Sequence, residues 1–528
     1  MKNHRSACRS LVVTALAATA LWSSGIRAQP PPLEAGPDPR EIPLPPIKTA
    51  FPKLPGVNEL PVRKDLPDIM TMNDGTKVRT IEQWKNRRQE ILNTLEYYSV
   101  GHAPPPPGNV KGHEVQSQLV ANGKIRYRLV HLTFGPEEKL GLDIGIFTPV
   151  EGGPFPTVIA QASTPPGATA LPRLPNGPTQ GRGQDVLLLV GPTIPSALEA
   201  ETGAGRGGGR GAGGGAARGA APAVASGDPP PGAIPVAAPA ARGGARGGGF
   251  GRPADPEGIA ASNAALARGY AYVMFNNNDC GEDTTLREAD GSWSYRHTRF
   301  FPAYPDYDWG LLRAWAWGAS RVADYLETDP SIDKTKLIIT GASRTGKSAM
   351  VAAAFDERLM GAPVVTGGGG IGAYRFAGAS NSESLDIMQR KYPNWWGPNL
   401  HEFWSHREKL PFDEHWFLAL CAPRPFVALE GDADTISLPE AVKQSILAAR
   451  PAYALYGPTD RLGVHYSHHG HAFTPEDWTA MLNFADKHLL GKRDFTFDYF
   501  LTMAEREAAT AAASAAPRGG PPPAAAPR

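Results

Sequence analysis

Ser343 lies in the stretch KLIITGASRTGKSAM at residues 336–350, with Ala342 before it and Gly346 three residues after it. A short apolar run, Leu337-Ile338-Ile339, leads into it, and a helix-compatible run at 348–355 leads away. A serine on a sharp strand-to-helix turn presents its hydroxyl as a nucleophile at the carboxyl end of a sheet. That hydroxyl needs a base to remove its proton, and the base needs an acid to orient it. Asp432 and Asp434 follow a later apolar run at 426–429, and His465, His468, His469 and His471 come after them. His471 is the best-placed base: it follows Gly470 and precedes a helix start at Thr474. The octet Gly341 to Ser348 also fits G-x-x-x-x-G-K-[ST], the phosphate-binding loop of nucleotide hydrolases. That competing chemistry needs an acid to hold magnesium at a neighbouring strand end, for which Glu430 is the candidate. It leaves Asp434 and the histidines without a role.

Such groups need a parallel sheet, because ligands bind outside the carboxyl ends of parallel strands. Apolar runs at 156–160, 272–275, 337–339, 364–365 and 426–429 predict buried strands. Helices are predicted at 259–268, 308–327 and 348–355. In the second, Trp309, Leu312, Trp315, Ala319, Val322 and Leu326 recur near helical spacing and read as core. Another helix begins at Thr474, where Pro475 suits the first position and Asp477 completes a capping-box-like pair. Its buried face is Trp478, Met481, Leu482, Ala485 and Leu489. Upstream, Thr80 caps a helix at 80–98 whose apolar face is Ile81, Trp84, Ile91, Leu92 and Leu95. Alternating runs at 115–120, 125–132 and 140–147 predict antiparallel strands, with Asn122-Gly123 as a turn. Strand and helix then alternate, the pattern of a mainly parallel sheet in a three-layer αβα sandwich. Serine, acid and histidine in that order match the chain order of α/β-hydrolases.

The net charge of +1 over 528 residues gives no footprint for nucleic acid. Residues 1–28 read as an export signal, with a basic head (Lys2, His4, Arg5, Arg9), an apolar run at 11–22, and a cleavage point after Ala28. The mature protein is therefore expected in the periplasm or secreted, with no membrane segment. Those compartments offer little ATP or GTP, which weighs against the phosphate-loop chemistry. Cys8 leaves with the signal, and Cys280 and Cys421 are left either paired or as buried thiols. No cysteine or glutamate stands at ligand spacing beside the histidine cluster, so neither metal nor other cofactor is expected. Residues 29–63 form a proline-rich extended arm and 64–502 the catalytic domain. Inside it, 165–256 is a glycine-, alanine-, proline- and arginine-rich insertion that buries too little to order itself, and 503–528 is a disordered tail.

The elbow resembles the G-C-S-R-x-G-K motif of glucuronoyl esterases, carbohydrate esterases that cleave lignin–glucuronoxylan esters. It is present as Gly341-Ala342-Ser343-Arg344-Thr345-Gly346-Lys347, and the late glycine is normal there. The resemblance extends over DWGLLRAWAWGASRVAD at 308–324, LPFDEHWFLALCAPRP at 410–425, residues 470–488 and residues 66–84. It implies an α/β-hydrolase acting on uronate esters as a monomer, with Ser343 as nucleophile, His471 as base and Arg344 stabilising the oxyanion. Lys347 and Glu383 match positions that contact the sugar. Many members place the acid in an E-S-G-x-G-G-like stretch, where this chain has Val365. Others carry it after the later strand, where Asp434 matches. Ile436 replaces a pocket tryptophan, and Ala342 replaces the motif cysteine and removes the family's elbow disulfide. An acetyl xylan or other carbohydrate esterase, or a catalytically dead carbohydrate-binding protein, would share these features. Deleting residues 203–249 is expected to leave melting temperature and ester turnover nearly unchanged. A large drop in either would show that the segment packs on the domain.

Overall fold

Alternation along the strands builds the core. Leu337 and Ile339 face one side of the sheet and Ile338 the other; Phe426 and Ala428 likewise oppose Val427 and Leu429. The structure, a computed structural model, describes residues 51, 53–161, 164–168, 255–283, 286–287, 293–294, 299–376, 383–457 and 459–492. The expected export signal, the tail and most of the arm and insertion lie outside these residues.

Among the described residues the strands β1 (Lys111–Val120), β2 (Ile125–Phe134), β3 (Leu140–Pro149), β4 (Phe155–Gln161), β5 (Ala271–Phe275), β6 (Ile332–Ala342), β7 (Leu359–Val364), β8 (Phe426–Gly431) and β9 (Leu462–Ser467) form one sheet. Its order is β1-β2-β3-β5-β4-β6-β7-β8-β9. β1, β2 and β3 pair antiparallel, as do β3 and β5. From β5 to β9 every pairing is parallel. Helices α1 (Ile81–Leu95), α2 (Leu311–Leu326), α3 (Arg344–Phe355), α4 (His415–Leu420), α5 (Pro439–Ala454) and α6 (Pro475–Leu490) flank it. α1 to α5 bury their apolar sides on one face, and α6 covers the other with the short helix Ala264–Ala267. The result is a three-layer α/β-hydrolase architecture.

Several local expectations shift. β9 and α5 lack a sequence assignment above. Two polar histidines bracket β9's end, and Pro451 lies inside α5. The helix predicted at 259–268 breaks at Asn263, whose side chain caps the N–H groups of Ala265 and Leu266. In α1, Trp84, Ile91 and Leu95 are buried but Ile81 is exposed, and Arg87 takes a buried place with Nε on Ile69 O. The end of the arm packs on the domain: Leu54, Val57 and Leu60 touch the core, and Pro55 O accepts the Tyr98 hydroxyl at 2.6 Å. At the insertion's edges, Pro166 O accepts the Tyr127 hydroxyl at 2.5 Å, and Asp255 caps the helix Pro256–Ser262. Cys280 and Cys421 are free and buried.

Gly318 sits inside α2, where helix propensity disfavours it. A Cβ there would run into Cys280 Sγ. Gly318→Ala is therefore expected to destabilise by about 1–2 kcal/mol, since overpacking outweighs the propensity gained. Adding Cys280→Ala should recover most of the loss. Thermal melts of the single and double variants against wild type check this, and a stabilised single variant would refute it.

Candidate active site

β6 is flanked on both sides, and Ser343 follows its last residue. Ser343 has φ 54° and ψ −121°, a conformation that costs an L-residue strain. Its N–H donates to Val364 O at 3.0 Å, and Thr345 Oγ1 bridges the N–H and carbonyl of Ala342. Two glycines make room for this turn. A Cβ on Gly341 would lie 2.6 Å from Thr345 O, and one on Gly346 would lie 2.9 Å from Val364 O. Gly346 is thus where α3 presses on β7, which explains its place three residues after the serine. α3 begins at Arg344, so its N-terminal dipole faces the hydroxyl.

The loops after β8 and β9 bring Asp434 and His471 together. Asp434 Oδ2 accepts from His471 Nδ1 at 2.8 Å, and Oδ1 accepts the Ile436 N–H at 2.8 Å. The Asp434 side chain is 1% exposed and that of His471 27%. Burial alone would raise the Asp434 pKa. The His471 hydrogen bond and charge, with the N–H groups of Ile436 and Ser437, outweigh it and hold it below the ordinary value. Asp432, the other acid of this loop, faces away and pairs with the exposed His468 at 3.1 Å. Glu430, at the end of β8, is fully buried, with Oε1 3.4 Å from Thr366 Oγ1. Burial, then the Asp434 charge, push its pKa up to about 8. Its charged form is therefore disfavoured, whereas the contacts of Asp434 favour the carboxylate that holds the histidine.

Two ion pairs flank the elbow. Arg344, 3% exposed, pairs with Asp283 and lies 5.1 Å from the Trp395 ring centroid. Asp283 also accepts from Trp395 Nε1 at 2.8 Å and Asn394 Nδ2 at 3.1 Å. Lys347 is fully buried; its ammonium donates to Thr366 O and to Glu383 Oε2, the latter at 2.7 Å. Glu383 keeps 16% of its side chain exposed, so any sugar contact of this pair passes through the carboxylate. The Gly367–Gly370 run lets Glu383 come close: a Cβ on Gly368 would collide with the Glu383 carbonyl, and Gly367 lies against Glu383 and Ile436. Val365 has φ 39°, rare for a β-branched residue, and its N–H donates to Leu429 O at 2.8 Å.

This geometry does not make a phosphate cradle. The lysine is committed to Thr366 and Glu383, the Ser348 hydroxyl is 2.9 Å from Gln161 Oε1, and burial disfavours the charged form of Glu430. Asp283 and Trp395 are missing from the sequence reading. The polar loop after β5 signals the first, because strand ends at this edge carry the site. For Trp395 the sequence holds no comparable signal.

A family model described as glucuronyl esterase, fungi, matches residues 256–457. The chain is 29% identical over 256 residues to carbohydrate esterase MZ0003 from an unknown prokaryotic organism, a match covering 44% of this chain and 58% of that protein. It is 26% identical over 443 residues to a 4-O-methyl-glucuronoyl methylesterase of Phanerochaete carnosa, covering 81% of each. The chain spans about half the length of most curated relatives it matches. The solved glucuronoyl esterase from Solibacter usitatus superposes with a TM-score of 0.57 at 22% identity, over 82% of this chain and 99% of that one, and so shares the fold. With an elbow of this form inside the matched segment, the chain is similar to glucuronoyl esterases over residues 256–457.

Proposed function

We propose that the chain hydrolyses esters of (4-O-methyl-)glucuronic acid in lignin–carbohydrate material through a serine acyl-enzyme. The observation that carries this is the buried Asp434 carboxylate on His471 Nδ1 at 2.8 Å, at the same sheet edge where Ser343 follows its strand at φ 54°. With Nδ1–H donated to Asp434, the other ring nitrogen is the one left to accept the Ser343 proton. Ser343 Oγ attacks the ester carbonyl carbon, and the carbonyl π pair moves onto oxygen. In this reading the α3 N-terminus and the Arg344 guanidinium supply the positive potential that the oxyanion needs. Collapse breaks the C–O bond, and His471 gives its proton to the departing alcohol. His471 then deprotonates a water, which attacks the acyl carbon; the acyl C–Oγ bond breaks, His471 returns the proton to Ser343 Oγ, and the uronic acid leaves.

Glu383, held by Lys347, is the group available to a sugar hydroxyl, and Ile436 beside it supplies an apolar wall. The signal-like head at 1–28 supports action outside the cytoplasm, and no helix among the described residues is long and apolar enough to cross a membrane. The substrate is tested with methyl glucuronate, methyl galacturonate, acetylated xylan and aryl acetates, with Ser343→Ala as control. Methyl glucuronate is expected to turn over fastest, and Ser343→Ala to abolish hydrolysis. Faster deacetylation of xylan would replace the substrate but keep the chemistry. Wild-type protein inert on all four would point to a binding protein.

The acid is tested separately. Asp434→Asn should keep the fold and lower kcat by about 10³–10⁴, the scale for a lost triad acid. Asp432→Asn should cost far less, because its partner is an exposed histidine. The reverse order in the two variants would overturn the assignment. A loss of only a few-fold in both would question the triad itself.

A further inference from the structure

His469 lies two positions before His471 and takes no part in the chemistry above. Its Nδ1 is 2.7 Å from Gly470 O, and its Nε2 is 3.1 Å from Asp477 Oδ2 and 3.2 Å from Oδ1. A carbonyl only accepts, so Nδ1 must carry a proton. Asp477 is fully buried and also accepts from the Thr474 N–H and hydroxyl at 2.8 Å each, and from Ser467 Oγ at 3.2 Å. A carboxylate so engaged is an acceptor on every side, so Nε2 must carry a proton as well. Both ring nitrogens donate only in the imidazolium.

The residues around it give that cation a purpose. Asp477 completes the capping box of α6, so the ring ties the loop after β9 to a rigid helix start. The same loop is laced to the one that carries Asp434. Asp432 N–H donates to Ser467 O at 3.0 Å, and Ala433 N–H to His469 O at 3.2 Å. A Cβ on Gly431 would lie 2.7 Å from Gly470 O. Gly470, whose carbonyl the ring grips, is the residue before His471. We propose that His469 is a positioning residue for the reaction, an imidazolium clamp between Gly470 and α6 that fixes where His471 stands. The proposal rests on His471 being the general base.

The clamp is sensitive to pH in a defined sense. Burial works against the charge on His469, but the Gly470 carbonyl and the Asp477 carboxylate outweigh it and raise the pKa above the ordinary imidazole value. The clamp is therefore complete below the ordinary value and is lost as pH rises through the raised one. From α6, Asp477 and Glu476 face the ring and favour its charge. The neighbouring histidines have other partners: His468 pairs with Asp432, His471 with Asp434, and His465 approaches Glu476 at 3.6 Å. Turnover should then fall at alkaline pH by a loss in kcat. Glu430, with its pKa near 8, is the rival source of an alkaline fall.

The test uses methyl glucuronate and the full chain, after wild-type hydrolysis has been demonstrated. His469→Gln, neutral at every pH, should lower kcat about tenfold, the scale of a displaced catalytic group, with KM within about twofold, and should lose the alkaline fall. His469→Lys, whose charge persists, should recover part of kcat and carry turnover to higher pH. Wild-type kcat with an unchanged alkaline fall in His469→Gln overturns the proposal, as does an alkaline fall that disappears in Glu430→Gln and persists in His469→Gln. If His469→Gln does not fold, His469→Lys decides: an alkaline fall at the wild-type position in that variant overturns it. Wild-type protein without ester hydrolysis refutes the esterase reading instead.

Discussion

Burying a carboxylate normally neutralises it, and the proposed chemistry depends on Asp434 staying charged. Its surroundings act on that one ionisation. His471 donates to one oxygen, and two backbone N–H groups of the same loop reach the other, at 2.8 and 3.3 Å. Hydrogen bonds to the charged form are what keep a buried carboxylate's pKa low. Glu430 is the complement. It shares the strand end, its Thr366 donors stand off at 3.5 and 3.4 Å, and burial with the Asp434 charge pushes its pKa up. Two acids on one short stretch are pushed apart: the charged form is favoured at Asp434, which holds the imidazole, and disfavoured at Glu430, which packs against Thr366.

The flanking ion pairs obey the same accounting of desolvation. Buried pairs such as Arg344–Asp283 and Lys347–Glu383 are weak sources of stability, because lost hydration offsets most of their attraction. Their use here is placement. Asp283 is itself held by Trp395 and Asn394, so the guanidinium cannot swing away from the elbow. Lys347 leaves from the first turn of α3 and ties it to Thr366 on the glycine run. It also fixes Glu383, whose carboxylate keeps some exposure. The strained Ser343 backbone persists because these contacts, with Gly341 and Gly346, surround it.

Much of this was legible from residue type and spacing. The elbow, the strand ends, the Thr474 cap and the order of serine, acid and histidine follow from periodicity and capping chemistry, which act over a few residues. Asp432 against Asp434 was not decidable on those grounds, since both follow the same strand; the resemblance chose between them, and side-chain direction in a folded loop separates them. β9 was hidden because His465 and His468 interrupt its apolar pattern, although Leu462, Val464 and Tyr466 are buried. Asp283 and Trp395 meet Arg344 from elements far away in sequence, and no local pattern records such a contact. The Asp477 that caps α6 was visible as a cap, but its second role toward His469 needs the loop to fold back on the helix.

Sheet order also explains how an acid can leave the position that Val365 now holds. β7 and β8 are neighbours about 4.8 Å apart, and Val365 N–H still bonds to Leu429 O across their ends. A carboxylate rooted on either loop starts from nearly the same place above the sheet. β8, however, is the strand paired with β9, whose loop carries His471. An acid after β8 therefore reaches the imidazole from the adjacent strand, whereas one after β7 must reach across β8. At Asp434 the span is the shorter one, and the same loop supplies both the carboxylate and the backbone donors that lower its pKa. It also frees the turn at Val365 from carrying charge, so that the glycine run beyond it can close around Glu383.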